Sequence, residues 1–108
     1  MGKFYYGSSG RFAEFDDWVL AHVSLAIVTK LRREEKFTFV WSDSGAQTSV
    51  WLHPAIELQF DFDTAERQTL NRAWLEALKD SANSGELRIV EEPKNGEQLP
   101  ATSARSRR

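Results

Sequence analysis

The sequence predicts a two-layer α+β domain: an antiparallel sheet of about five strands with two helices on one face, in the order β-β-α-β-β-(β)-α-β. Three observations predict it. Short aromatic and β-branched runs are separated by turn residues, as consecutive antiparallel strands require. Two segments change to helical spacing, at Leu20, Val23, Ile27 and Leu31 and again at Leu70, Ala73, Trp74, Ala77 and Leu78. The chain has 108 residues, enough for one core and too few for two.

Lys3 to Tyr6 and Arg11 to Phe15 flank Gly7-Ser8-Ser9-Gly10, whose glycines accept positive φ, so a hairpin is expected. Asp16 or Asp17 caps the first helix, read from about 17 to 35, and Lys30, Arg32 and Arg33 complement its negative end. Lys36 to Trp41 and Gln47 to His53 form strands on either side of a Ser42-Asp43-Ser44-Gly45 loop, and Pro54 then stops ladder pairing. Ile56 to Asp63 alternates strictly, apolar on even numbers and polar on odd, and is the clearest strand. Asp63 with Glu66, or Thr69, starts the second helix, and Asn83-Ser84-Gly85 stops it before a last strand from Leu87 to Val90. From Glu91 the chain is polar, Pro/Gly-punctuated and aperiodic. The domain is therefore placed at residues 1–92, with a flexible basic tail at 93–108.

Alternation along the two middle strands puts Phe37, Phe39 and Trp41 on one side with Val40 opposite, and Trp51 and His53 opposite Val50 and Leu52. Strands apolar on both sides are buried on both, and two helices cover only one side. The aromatic side is expected to meet a second copy, giving a homodimer.

Composition narrows the function classes. With no cysteine, the chain has no disulfide, thiolate zinc site or thiol nucleophile, which suits a reducing compartment. The start, Met1-Gly2-Lys3-Phe4-Tyr5-Tyr6, lacks the apolar stretch of a signal peptide. The longest apolar run, Val19 to Val28, is broken by His22 and Ser24 and falls short of the roughly 20 residues of a membrane span. A cytoplasmic location without membrane association is expected. The net charge of −2 hides an asymmetry: residues 101–108 hold three Arg and no acid, so the first hundred residues carry 11 basic and 16 acidic side chains. An acidic body argues against a strong nucleic-acid surface, whose footprint is a basic patch.

Catalytic signatures are absent: no phosphate loop, no dinucleotide fingerprint, no His-Glu-x-x-His and no Gly-x-Ser-x-Gly elbow. Gly7 to Arg11 reads as a hairpin turn rather than an anion nest, and His22 and His53 lack a metal-ligand spacing, so neither metal nor cofactor is expected. Trp51-Leu52-His53-Pro54 joins an aromatic, an imidazole and a chain break at a strand end. Either Trp51 and His53 contact a ligand, or Trp51 fills a sheet face while Pro54 ends pairing. Lys30-Leu31-Arg32-Arg33 serves the helix end, its field offset by Glu34-Glu35. Asn71, Arg72 and Trp74 suggest base readout, but Trp74 belongs to the apolar stripe and Glu76 and Asp80 repel phosphate.

Phe15-Asp16-Asp17, Val19 to His22, Lys30 to Arg33, Val50 to Pro54, Asn71 to Leu78 and Ser81 to Ser84 together resemble a family of small actinobacterial proteins. These carry a domain of unknown function and often the label ATP-dependent DNA ligase, and the resemblance covers about residues 1–92. Ligases attack ATP with a lysine in Lys-x-Asp-Gly. None of Lys3, Lys30, Lys36, Lys79 or Lys94 is so followed, and no catalytic residue carries over.

Three readings follow. The first is a non-catalytic binding or dimerisation module contacting a protein partner or its own copy through Phe39, Trp41, Trp51, His53 and Arg72. The second is an accessory DNA-repair or ligation factor that holds single-stranded DNA with sheet aromatics and Arg105, Arg107 and Arg108. The third is a small enzyme using His53 or His22 as a base.

Overall fold

A computed structural model of the chain describes residues 1–66, 69–93 and 98–99. The fold is α+β, with two helices and two three-stranded sheets. The first sheet has the order β2-β1-β5, from β1 (Gly2–Tyr6), β2 (Phe12–Phe15) and β5 (Leu58–Asp61), all antiparallel. The second has the order β4-β3-β7. In it β3 (Phe37–Asp43) pairs antiparallel with β4 (Ala46–Leu52) and parallel with β7 (Glu86–Arg88). A further two-residue ladder joins β6 (Leu70–Asn71) to β8 (Gln98–Leu99), so part of the expected tail is paired. Arg105, Arg107 and Arg108 lie outside the described residues.

Turn chemistry sets the two hairpins. Gly7 and Gly10, at φ +75° and +81°, shape the β1–β2 loop as expected. Ser44 and Gly45, at φ +53° and +83°, make the two-residue link that matches strand twist between β3 and β4. Helix α1 (Asp17–Arg32) starts where the Asp16 carboxylate accepts the Trp18 N–H at 2.9 Å. It ends at Arg33, with Glu34 left-handed at φ +61°.

Helix α2 (Arg72–Asn83) begins later than the spacing suggested. Asn71, rather than Asp63 or Thr69, is its cap: its side-chain oxygen accepts the Trp74 N–H at 3.2 Å, while Leu70 belongs to a strand. The buried side of α2 is formed by Trp74, Leu75, Leu78 and Ala82.

The main correction concerns which side of the second sheet is covered. Phe37, Phe39 and Trp41 do share one side of β3, and that side faces the chain's own first sheet and helices. Phe4 lies 5.6 Å from Phe39 and 6.3 Å from Trp41 between ring centroids, and Phe15 lies 6.1 Å and 5.9 Å from the same two rings. Leu20, Val23 and Ile27 of α1, Trp74 and Leu78 of α2, and Leu87 of β7 complete one core. The strands thus divide into two sheets that close on each other. The rings expected at an intermolecular face are buried within the chain: Phe39 is fully enclosed and Trp41 is 8% exposed.

Close approach also explains Gly2. A Cβ there would stand 2.7 Å from Leu20 Cδ2 and 2.8 Å from both Asp17 Oδ1 and the Asp61 carbonyl, so β1 lies against α1 and β5 with no room for a methyl group. Among the described residues no helix is long and apolar enough to cross a membrane.

Candidate functional site: the outer face of the second sheet

Strand alternation and register define the side of the second sheet that faces away from the core. Thr38, Val40 and Ser42 of β3 lie on it, opposite Trp51, Ser49 and Gln47 of β4, and Glu86 and Arg88 of β7 stand beside Thr38 and Val40. Val40, on the central strand, is itself buried, whereas Ser42, Gln47 and Ser49 are exposed. Trp51, on the edge strand β4, is 57% exposed on this outer surface, a large apolar ring left in water. Arg88 and Glu86 form an ion pair along β7, and the Ser81 hydroxyl fastens that strand to α2, donating to the Glu86 carbonyl and accepting the Arg88 N–H, both at 2.9 Å.

The backbone of β4 adds a second feature. It forms an outer edge of its sheet, and among the described residues its only ladder is with β3. In a hairpin with a two-residue turn, the residues flanking the turn exchange hydrogen bonds, here Asp43 with Ala46. Alternation then directs the N–H and C=O groups of Gln47, Ser49 and Trp51 away from β3, toward the open edge.

The residues singled out in the sequence separate. Trp51 is on the surface, whereas Phe39 and Trp41 are in the core. His53, half-buried past the end of β4, accepts the Ile56 N–H at its carbonyl at 3.0 Å, within the turn that Pro54 begins. Arg72 is exposed at the first turn of α2, on a different element from Trp51. Lys30 is spent on structure, donating to Asn83 Oδ1 at 3.1 Å and pairing with Glu35 at 2.7 Å.

His22 belongs to a polar cluster that the sequence reading did not assemble. Its ring is fully buried between Trp18 and Trp74, each at 4.6 Å. Nε2 accepts the Asn71 N–H at 2.7 Å, so Nδ1 carries the proton and donates it to the Trp18 carbonyl at 2.8 Å. Glu92 accepts from Trp18 Nε1 and from Asn71 Nδ2, both at 2.9 Å, and the Val90 carbonyl accepts from Trp74 Nε1 at 2.8 Å. Burial lowers the His22 pKa, against the opposing pull of its Trp18 bond and of the Glu92 charge. Both ring nitrogens are occupied inside the protein, so His22 has no lone pair to offer a substrate. The four-residue step from Trp18 to His22 is the one local signal of this cluster, since Asn71 and Glu92 arrive from distant segments. Among the described residues no group of three or more His, Asp or Glu side chains is arranged to hold a metal.

The family model for the domain of unknown function DUF7882 matches residues 1–92, a span that ends at the carboxylate closing this cluster. No curated protein and no solved structure matches the chain.

Proposed function

We propose that this chain, which belongs to the DUF7882 family, acts as a non-catalytic protein-interaction module whose contact surface is the outer face of the second sheet around Trp51. The observation that carries the reading is the 57% exposure of Trp51 on the outward side of the edge strand β4. An indole held on a rigid strand presents a large apolar area at low entropic cost, and tryptophan is enriched among the residues that dominate binding energy. Thr38, Ser49 and Gln47 around it supply hydrogen-bonding groups, and the Glu86–Arg88 pair gives a charged rim, which is the usual arrangement of an apolar anchor within a polar border. The engagement of both His22 nitrogens supports a role without acid–base chemistry at that residue.

The test is affinity capture by wild type beside Trp51→Ala, with and without nuclease, after thermal melts have shown equal folding. A partner retained by wild type and lost by the variant supports the module. Identical captures from both proteins overturn it, and a capture that depends on nucleic acid transfers the function to single-stranded DNA.

A further inference from the structure

The four edges of the two three-stranded sheets differ in how well they are guarded. β2 is four residues long and carries Glu14, β5 is four residues long and carries Asp61, and β7 has three residues of which two are charged. Short length and charge are the devices that stop a strand from pairing with another chain. β4 has neither. Its seven residues, Ala-Gln-Thr-Ser-Val-Trp-Leu, include no charge, no proline and no glycine, and the outward N–H and C=O groups of Gln47, Ser49 and Trp51 form a regular unpaired row.

We infer that the partner of this surface is a second copy of the chain, joined through antiparallel pairing of β4 with β4 about a two-fold axis at Ser49. This rests on the interaction-module reading and names its partner. An antiparallel edge is self-complementary, because a two-fold rotation places each outward N–H opposite an outward C=O. Centring the axis on Ser49 overlaps all seven residues, sets Ser49 against Ser49 of the second copy, and sets Gln47 against its Trp51. The neutrality of β4 matters here: the body of the chain is acidic, and this strand is where two copies approach without opposing like charges. The product is a continuous six-stranded sheet, in which each exposed indole lies over the neighbouring copy's Gln47 on the outer face.

The register makes a specific test available, because residue 49 faces itself. Sedimentation equilibrium of the full chain is expected to show a concentration-dependent doubling of the 12.4 kDa mass. Ser49→Lys and Ser49→Glu are each expected to weaken self-association by about tenfold through like charges across the axis, and mixing the two is expected to restore it. Ser49→Pro, which removes the central outward N–H at an edge that tolerates proline, is expected to give a folded monomer. A wild type that stays at 12.4 kDa overturns the second-copy inference and leaves the module reading to another protein. A dimer insensitive to all three Ser49 variants but lost in Trp51→Ala overturns the edge pairing alone. A dimer indifferent to every one of these changes overturns both.

Discussion

The two sides of the second sheet carry aromatic side chains of similar size and opposite fate. On the inner side Phe37, Phe39 and Trp41 are enclosed by Phe4 and Phe15 of the first sheet and by both helices, while on the outer side Trp51 stands 57% exposed. Aromatic content therefore does not mark a binding face in this chain. What decides is whether another layer exists to cover the rings, and that layer comes from segments far away in sequence.

The difference is broken or sharpened by substitution on each side. The largest effect is expected for Phe39→Ala, which empties a fully buried site between the sheets and should cost about 3–5 kcal/mol in a denaturant titration. A loss below about 1 kcal/mol would mean the two sheets do not close on each other as described. Gly2→Ala probes the same closure from the first sheet: the new methyl meets Leu20, Asp17 and the Asp61 carbonyl, and a destabilisation of about 1–3 kcal/mol is expected by the same titration.

The buried polar cluster beside the core gives a third, smaller test. His22 has its folded-state pKa below the ordinary value of 6.5, so between those two values the unfolded chain binds more protons than the folded one. Its stabilising contribution is therefore complete above about pH 6.5 and is lost as pH falls through the folded-state pKa. The melting temperature should decline on acidification across that window, and His22→Gln should flatten the decline; an unchanged slope in the variant would assign it to other groups. The smallest effect is expected at Trp51→Ala, within about 0.5 kcal/mol of wild type, because the indole does not contribute to the core. A large loss there would make the outer face a structural one.

The local chemistry of this fold was legible in the sequence. Of Asp16 and Asp17, the first caps α1; the Ser42 to Gly45 loop contained the turn, which narrows to Ser44-Gly45 because β3 runs on through Asp43; and alternation placed Phe37, Phe39 and Trp41 together with Val40 opposite. The start of α2 was misplaced because Asp63, Thr69 and Asn71 all have capping side chains, and selection among them depends on His22 receiving the Asn71 N–H across 49 positions. The division into two sheets was hidden for a related reason. β1 takes β5 as its second neighbour and β3 takes β7 in parallel, pairings fixed by packing rather than by proximity in sequence. Trp51 stood out as unusual in the sequence, yet its exposure follows from its place on the outward side of an edge strand, which depends on the strand order.

The bonds made by Glu92 and the Val90 carbonyl bear on how the protein is born. A ribosome releases the chain from its beginning, so α1 and α2 can meet while the Trp18 and Trp74 indole N–H groups and the Asn71 amide still lack their acceptors. Those donors find them only when residues 90–93 emerge, so this short segment works as a latch that satisfies the cluster after both helices have been synthesised.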